Sequence, residues 1–459
     1  MLLVLMPLIF LAGILAIAFE DKIRVNKAAV AVGMSVILWT VFLLGGLDYF
    51  ISLPPDSKSI LNDLFSGFST LTAREQFAHF YEYNLVESLG DVSTTLFFVL
   101  ASMAIVEIVD SHGGFEVITS YIKTRNKRKL LWIFSIMAFF LSAILGNIAT
   151  VIVIIAIIKK LVPHKADRFI FISMLVISAN SGGSWSPIGD VTTLLLWTSG
   201  NISVVNQFVH IFLSGATMML VPLVLSQYMF EKGSIIEPNN FIKDDILLAK
   251  LDPVFKKWVL AVGVISLAMV PLLQILFNIP PFMGVLFGLS VLWYMTDRIY
   301  YHKHNSKLQE LRVSRVFTRI DVPTVLFFLG ILMSVASLKT AGQLAIISDF
   351  LNTAIKSPDK ISILLGLFSS VLDNVALVAA TIAMYPLQAT GPFAADGSFW
   401  IFLSYCAVTG GSIFIIGSAS GVTAMGLEKS ITFIKYFKKF SFLALLGYFA
   451  GAVVYLLLF

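Results

Sequence analysis

Two acidic residues lie where carboxylates are rare, inside long apolar stretches of the sequence. Asp190 follows a glycine-rich segment, and Asp373 directly precedes Asn374. A carboxylate can bind Na+ when it is ionised or hold a proton when it is neutral, so the two ligands would compete for one group. Helix capping is the structural alternative for both acids, and it is compatible with ion binding.

Amide and hydroxyl side chains accompany these acids in the sequence. An amide offers an oxygen to a cation and N–H groups to the backbone, whereas a hydroxyl often bonds back to its own helix. Helix capping alone is the alternative role for the amides. The candidate oxygen ligands of these two types are Asn147, Thr150, Asn374, Ser418, Ser420 and Thr423.

Glycine clusters interrupt two apolar segments and predict helices that are unwound at their middle. The first cluster, 180–189, contains three glycines and a proline, and the second covers 409–421. Unwinding would free carbonyl oxygens, which can coordinate a hard cation such as Na+. Close packing of glycine-rich helices is the alternative. The carbonyls expected at the site lie near Gly182, Gly183, Gly410 and Gly411.

The elements that must position these groups are membrane spans. Of 459 residues, 58% are hydrophobic and 13% are charged, whereas soluble proteins carry about 25% charged residues. The fold class predicted is therefore an all-α membrane protein, and a soluble protein is excluded. The expected spans are 2–19, 28–52, 92–112, 168–199, 206–229, 257–277, 281–297, 321–339, 400–427 and 440–459.

Basic loops set the predicted sides of the membrane, because Lys and Arg accumulate on the cytoplasmic side. Such loops flank the stretch 130–160 at both ends. That stretch is predicted to enter and return as a re-entrant hairpin with its tip near Gly146 and Asn147. The same reasoning makes 361–386 a hairpin that enters from outside. Both termini and the acidic segment 53–91 are predicted to lie outside.

An internal repeat relates the two halves of the chain. Asn147 and Asn374 lie in similar segments 227 residues apart, and the Gly-Gly-Ser motifs at Gly182 and Gly410 are 228 residues apart. Each half would comprise about five spans and one hairpin, and opposite entry of the hairpins makes the repeats inverted. The predicted domains are a first repeat (1–230), a cytoplasmic linker (231–256) and a second repeat (257–459).

The sequence lacks the signatures of several other functional classes. It contains no Walker loop, no His and Cys cluster with metal-ligand spacing, and no Ser, His and Asp arrangement in a soluble context. The net charge of +5 does not suggest nucleic-acid binding. We therefore expect a protein that is not an enzyme and has no cofactor.

Three segments resemble the NhaD-type Na+/H+ antiporters, which are related to arsenite permeases and divalent-anion/Na+ symporters. The segments are 180–193, 369–380 and, more weakly, 106–110. The resemblance implies Na+ (possibly Li+) exchange for H+ by a homodimer in a bacterial inner membrane, with scaffold and transport domains. By position it gives ion-site roles to Asn147, Asn180, Asp190, Thr192, Thr193, Asp373, Asn374, Ser418 and Ser420, and a functional carboxylate role to Glu107.

One departure from the family pattern is at the first hairpin. The family carries Asp before the tip asparagine, whereas this sequence has Gly146. The loss of one carboxylate leaves the number of ions or protons per cycle open. The alternatives to an antiporter are a Na+-coupled carboxylate or other anion transporter of the same fold, and a passive channel.

Overall fold

The computed structural model describes residues 5–18, 23–54, 61, 64–65, 67–119, 122, 124–230, 252–301 and 312–459. These residues are almost entirely helical, with an isolated bridge between Gln388 and Ala394. Most of the predicted linker, up to residue 251, lies outside the described residues. The α-helices in chain order are α1 (Leu5–Ala18), α2 (Lys27–Gly45), α3 (Leu47–Ser52), α4 (Ala73–Ser111), α5 (Gly114–Thr119), α6 (Lys127–Leu145), α7 (Asn147–Leu161), α8 (Lys165–Ser184), α9 (Val191–Thr198), α10 (Val204–Ser226), α11 (Pro253–Phe277), α12 (Pro281–Tyr301), α13 (Val313–Val316), α14 (Val322–Thr340), α15 (Gln343–Ile355), α16 (Pro358–Phe368), α17 (Asn374–Met384), α18 (Ser398–Gly410), α19 (Ala419–Leu427), α20 (Phe433–Lys439) and α21 (Ser441–Leu458).

Many of these helices have the length and composition of membrane spans. Within the described part of the chain, seven helices are long and apolar enough to cross a bilayer: α2, α4, α6, α10 with its 3-10 extension to Met229, α11, α14 and α21. Large apolar side chains such as Leu44, Phe287 and Leu457 are exposed, as expected where lipid replaces water. The prediction of an all-α membrane protein is confirmed.

The helix α4 is much longer than the span predicted at 92–112. Its 39 residues correspond to about 58 Å at 1.5 Å per residue, roughly twice the thickness of a hydrocarbon core. The predicted acidic segment 53–91 is therefore partly helical, from Ala73 onward. Aromatic packing explains the extension, because Phe77 and Phe80 of α4 lie 5.7 Å from Phe42 and 5.2 Å from Phe50, measured between ring centroids.

The two stretches predicted as hairpins are each broken within the stretch, the first of them at its predicted tip. Helices α6 and α7 meet at Gly146, whose φ of +85° and ψ of 156° belong to a region that glycine adopts readily and other residues rarely. Helices α16 and α17 are separated by the non-helical residues 369–373. Asp373 ends this turn, and its Oδ1 accepts a hydrogen bond from the Val375 amide at 2.9 Å.

The two spans predicted to be unwound are also discontinuous, and the first break lies toward the end of the predicted cluster 180–189. Gly182 and Gly183, near which unwound backbone was expected, are themselves helical residues near the end of α8, and the break covers 185–190. Gly410 is likewise the last residue of α18, and Gly411 begins the second break. A Cβ on Gly182 would collide with the Phe139 carbonyl, so close helix packing explains that glycine.

The chain divides into two compact units. The first comprises 1–96, 321–356 and 379–386, and the second comprises 97–320, 357–378 and 387–459. Within the first unit, α2 packs along α14, and the Trp39 Nε1 donates to the Met333 carbonyl at 2.9 Å. The second unit contains α6–α9, α16, the start of α17, α18 and α19, and therefore all the segments that surround the acids.

Candidate ion-binding site

Asp190 is buried at the break between α8 and α9 and caps the second of these helices. Its Oδ1 accepts a hydrogen bond from the Thr192 amide at 2.7 Å, and the Thr193 hydroxyl lies 3.3 Å from the Asp190 amide, which completes a capping box. The capping role considered from the sequence is therefore real. The carboxylate nevertheless has further partners, which a cap does not require.

The asparagines that follow the breaks before α7 and before α17 both reach this carboxylate. The Nδ2 of Asn147, the first residue of α7, donates to Asp190 Oδ2. The Nδ2 of Asn374, the first residue of α17, lies 3.4 Å from Asp190 Oδ1. Both amides are buried, and Asp373 is close enough for its charge to act on Asp190. Residues from both halves of the chain thus converge on one carboxylate.

Asn180 connects the first half to hydroxyls of the second half. Its Nδ2 donates to Ser412 Oγ at 2.9 Å and to Ser418 Oγ at 3.0 Å. Its Oδ1 accepts from Ser420 Oγ at 2.6 Å and from Asn147 Nδ2 at 3.2 Å. Both donor and both acceptor positions of the amide are thereby used, so in this structure Asn180 organises the site.

Two buried hydroxyls beside this network have no hydrogen-bond partner among the described residues. They are the Oγ1 atoms of Thr150, on α7, and Thr192, on α9. Buried polar atoms are normally satisfied, so each is an oxygen available to a ligand. Both threonines were candidate ligands from the sequence.

Several contacts recur at the offset that relates the two halves of the sequence. Ser142 Oγ donates to the Ala179 carbonyl at 2.6 Å, and Ser369 Oγ donates to the Ala407 carbonyl at the same distance. Asp190 caps α9, and Ser418, 228 residues later, caps α19. Each half therefore contributes one acid at a different position of the repeat: Asp190 corresponds to Ser418, and Asp373 corresponds to Gly146.

Glu107 lies apart from this cluster, on α4. Its Oε1 is 3.9 Å from the Arg319 Nη1 and accepts a hydrogen bond from Ser111 Oγ at 3.3 Å. Neither of these contacts involves the asparagines or Asp190. Its functional role remains a prediction from the resemblance.

Sequence reasoning did not single out some residues that hold the site together. Ser412 bonds to Asn180, and Gln207 of α10 donates to the Ser184 carbonyl and, at 2.7 Å, to Ser404 Oγ. Ser412 corresponds to Ser184 at the 228-residue offset, so the repeat could have indicated it. No motif in the sequence indicates Gln207.

Known proteins similar to this chain carry the names of transporters and antiporters. A family model described as "Citrate transporter" matches residues 14–396. Sodium/proton antiporter 1 of Arabidopsis thaliana is 40% identical over 452 residues, which cover 98% of this chain and 72% of that protein. Sodium/proton antiporter 2 of the same plant is 37% identical over 454 residues, 98% of each chain. The Na(+)/H(+) antiporter NhaD of Halomonas elongata is 26% identical over 482 residues, covering 98% of this chain and 87% of that protein.

These matches confirm the resemblance to NhaD-type proteins that the sequence motifs indicated. The family model extends over most of the chain, and the plant antiporters align with almost all of it. The chain therefore belongs to the citrate transporter family, together with these sodium/proton antiporters.

Proposed function

We propose that this protein exchanges Na+ for protons across a membrane, and that the two ions compete for Asp190. One observation carries the proposal: Asp190 is only 5% exposed, and within the described residues no basic side chain forms an ion pair with it. A buried carboxylate without a counter-charge must be neutralised. A proton or a bound Na+ can each do so, and alternation between them is exchange.

The surroundings of Asp190 suit a hard cation, which prefers oxygen ligands. The hydroxyls of Thr150 and Thr192 are unpartnered among the described residues. Asn147 and Asn374 donate to the carboxylate here, and turning either amide over would present an oxygen instead. Asp373 adds negative charge nearby. We propose that Na+ binds among these oxygens, with Asn180, Ser418 and Ser420 holding them in place.

We further propose that the site is built by two inverted repeats with re-entrant hairpins. The recurring contacts of Ser142 and Ser369 support this, as do the breaks at Gly146 and before Asn374. With basic loops on the cytoplasmic side, this topology places both termini outside. Alternating access would then carry the site from one side of the membrane to the other.

The finer proposals rest on the resemblance to NhaD-type antiporters. They are a homodimer with scaffold and transport domains, location in a bacterial inner membrane, transport of Li+ as well as Na+, and a role for Glu107. The relatives are named antiporters, and we propose no enzymatic activity.

A Na+-coupled anion transporter is not favoured, although the family model carries the description "Citrate transporter". A multiply charged carboxylate substrate would approach two acids, Asp190 and Asp373, whose charges already interact. Like charges in a poorly solvated site repel strongly. The relatives that align with nearly the whole chain are named sodium/proton antiporters.

The experiment that tests the proposal is Na+-induced proton movement in proteoliposomes, followed with a pH-sensitive dye inside the vesicles. Asparagine caps a helix about as well as aspartate, so Asp190→Asn removes the charge while the cap can remain. We expect this variant to fall to the protein-free baseline, and Asp349→Asn, at an exposed position on α15, to retain exchange. A wild-type protein that gives no dye response to Na+ or Li+ would show that the proposal is wrong.

A further inference from the structure

Helices α8 and α19 are joined at both of their ends. At the ion site, Asn180 of α8 bonds to Ser418 and Ser420 at the start of α19. At the other end, the Arg168 Nη1 lies 3.3 Å from Oε2 of Glu428, the residue that follows α19. Glu428 is buried, and its Oε1 also accepts from the Ser430 amide at 3.2 Å, which fixes the orientation of the carboxylate.

The lengths of the two helical segments between these junctions agree. Twelve residues separate Arg168 from Asn180, about 18 Å at 1.5 Å per residue. Ten residues separate Ser418 from Glu428, about 15 Å on the same basis. The helices therefore run antiparallel, and the ion pair ties the end of α19 to the start of α8.

A second junction lies at the corresponding position of the other half. Asp396, just before α18, accepts a hydrogen bond from the Ser203 amide at 2.5 Å, and its own amide donates to the Asn201 carbonyl at 2.9 Å. Arg168 and Asp396 are 228 residues apart, and so are Gly200 and Glu428. In both cases the start of one broken span is tied to the end of the helix that follows the break in the other half.

We infer that Arg168 and Glu428 are positioning residues for the ion site. Their ion pair keeps Ser418 and Ser420 within hydrogen-bonding reach of Asn180, and it stays closed throughout transport. The side chains of Arg168 and Glu428 are only 17% and 6% exposed, so loss of either partner leaves the other as a poorly solvated charge. Relief of that charge requires α8 and α19 to shift against each other, and the shift reaches the site. The inference rests on the proposed function.

The first test separates positioning from general stability by measuring KM for Na+ and the maximal exchange rate. Glu428→Gln is expected to raise KM about 2- to 30-fold, the range of coupling through packed elements, with a much smaller effect on the maximal rate. Asp167→Asn is the matched control, because Asp167 pairs with Lys127 at 2.8 Å within the first half. The double charge swap Arg168→Glu and Glu428→Arg should restore KM. An unchanged KM in Glu428→Gln would overturn the inference.

A second test does not depend on how well these variants bind Na+. The sequence has one cysteine, Cys406, which is buried and can be replaced by alanine. Arg168→Cys and Glu428→Cys in this background can be joined by a short thiol-reactive cross-linker. We expect exchange to continue after cross-linking, whereas a pair that must open during transport would be locked.

Wild-type vesicles in the same assay distinguish the two claims. An absence of exchange in wild type would refute the proposed function. If wild type exchanges ions but the protein with Arg168→Cys and Glu428→Cys stops doing so after cross-linking, the claim of a permanently closed pair is refuted.

Discussion

Replacement of Gly146 by aspartate would give this chain the residue that the family pattern carries at the first helix break. The structure predicts a conformational penalty, because the φ of +85° and ψ of 156° at Gly146 lie in a region occupied almost solely by glycine, at a cost of about 1–3 kcal/mol for other residues. Steric conflict adds little, since the nearest atom to an added Cβ is the Gly189 carbonyl oxygen at 3.9 Å.

Gly146→Ala is the matched control, because it introduces the same backbone strain without a carboxylate. We expect both variants to lose stability to a similar extent, about 1–3 kcal/mol. This loss would be measured as a lower melting temperature in detergent. Only Gly146→Asp should change the charge moved per Na+, measured as the membrane potential generated in proteoliposomes. A Gly146→Ala protein as stable as wild type would refute the conformational reasoning, and identical charge movement in both variants would place this position outside the site.

Three further substitutions test individual contacts. Thr192→Val removes a buried hydroxyl that has no partner among the described residues, so we expect a higher KM for Na+ in the vesicle assay with unchanged stability; an unchanged KM would exclude this oxygen from the site. Gly182→Ala places a Cβ against the Phe139 carbonyl and should cost about 1–3 kcal/mol by overpacking, seen as a lower melting temperature; wild-type stability would mean that the helices are not in close contact. Ser369→Ala removes the hydrogen bond to the Ala407 carbonyl and should lower the free energy of unfolding by about 1 kcal/mol, while exchange is retained. If the variant is folded in the vesicles but inactive, a purely structural role for Ser369 is contradicted.

The sequence indicated which stretches are broken and which polar residues are candidates for one site because those features depend on local and repeated signals. The lengths of the apolar runs and the positions of the basic loops located the stretches 130–160 and 361–386. The pairs Gly146–Asn147 and Asp373–Asn374 marked the break within each stretch. The repeat then identified corresponding residues, of which Asn147 and Asn374 do reach the same carboxylate.

Other features could not be predicted because they depend on distant partners. Gly182 and Gly189 belong to the same glycine-rich segment, and the sequence does not distinguish their roles. In the structure, Gly182 permits close helix packing, whereas Gly189 lies in the break. Helix α4 extends beyond its apolar run because Phe77 and Phe80 pack against aromatic side chains of earlier helices. Arg168 belongs to the basic loop that follows the stretch 130–160, and nothing near it in the sequence indicates its partner, Glu428, which lies 260 residues later.

The most direct test of competition at Asp190 is the release of protons when Na+ binds to purified protein in weakly buffered detergent solution. The account predicts that wild type acidifies the solution on addition of Na+ and that Asp190→Asn does not, while a choline salt has no effect on either. Sodium binding without proton release in wild type, or proton release that persists in Asp190→Asn, would contradict the claim that the two ions share this carboxylate.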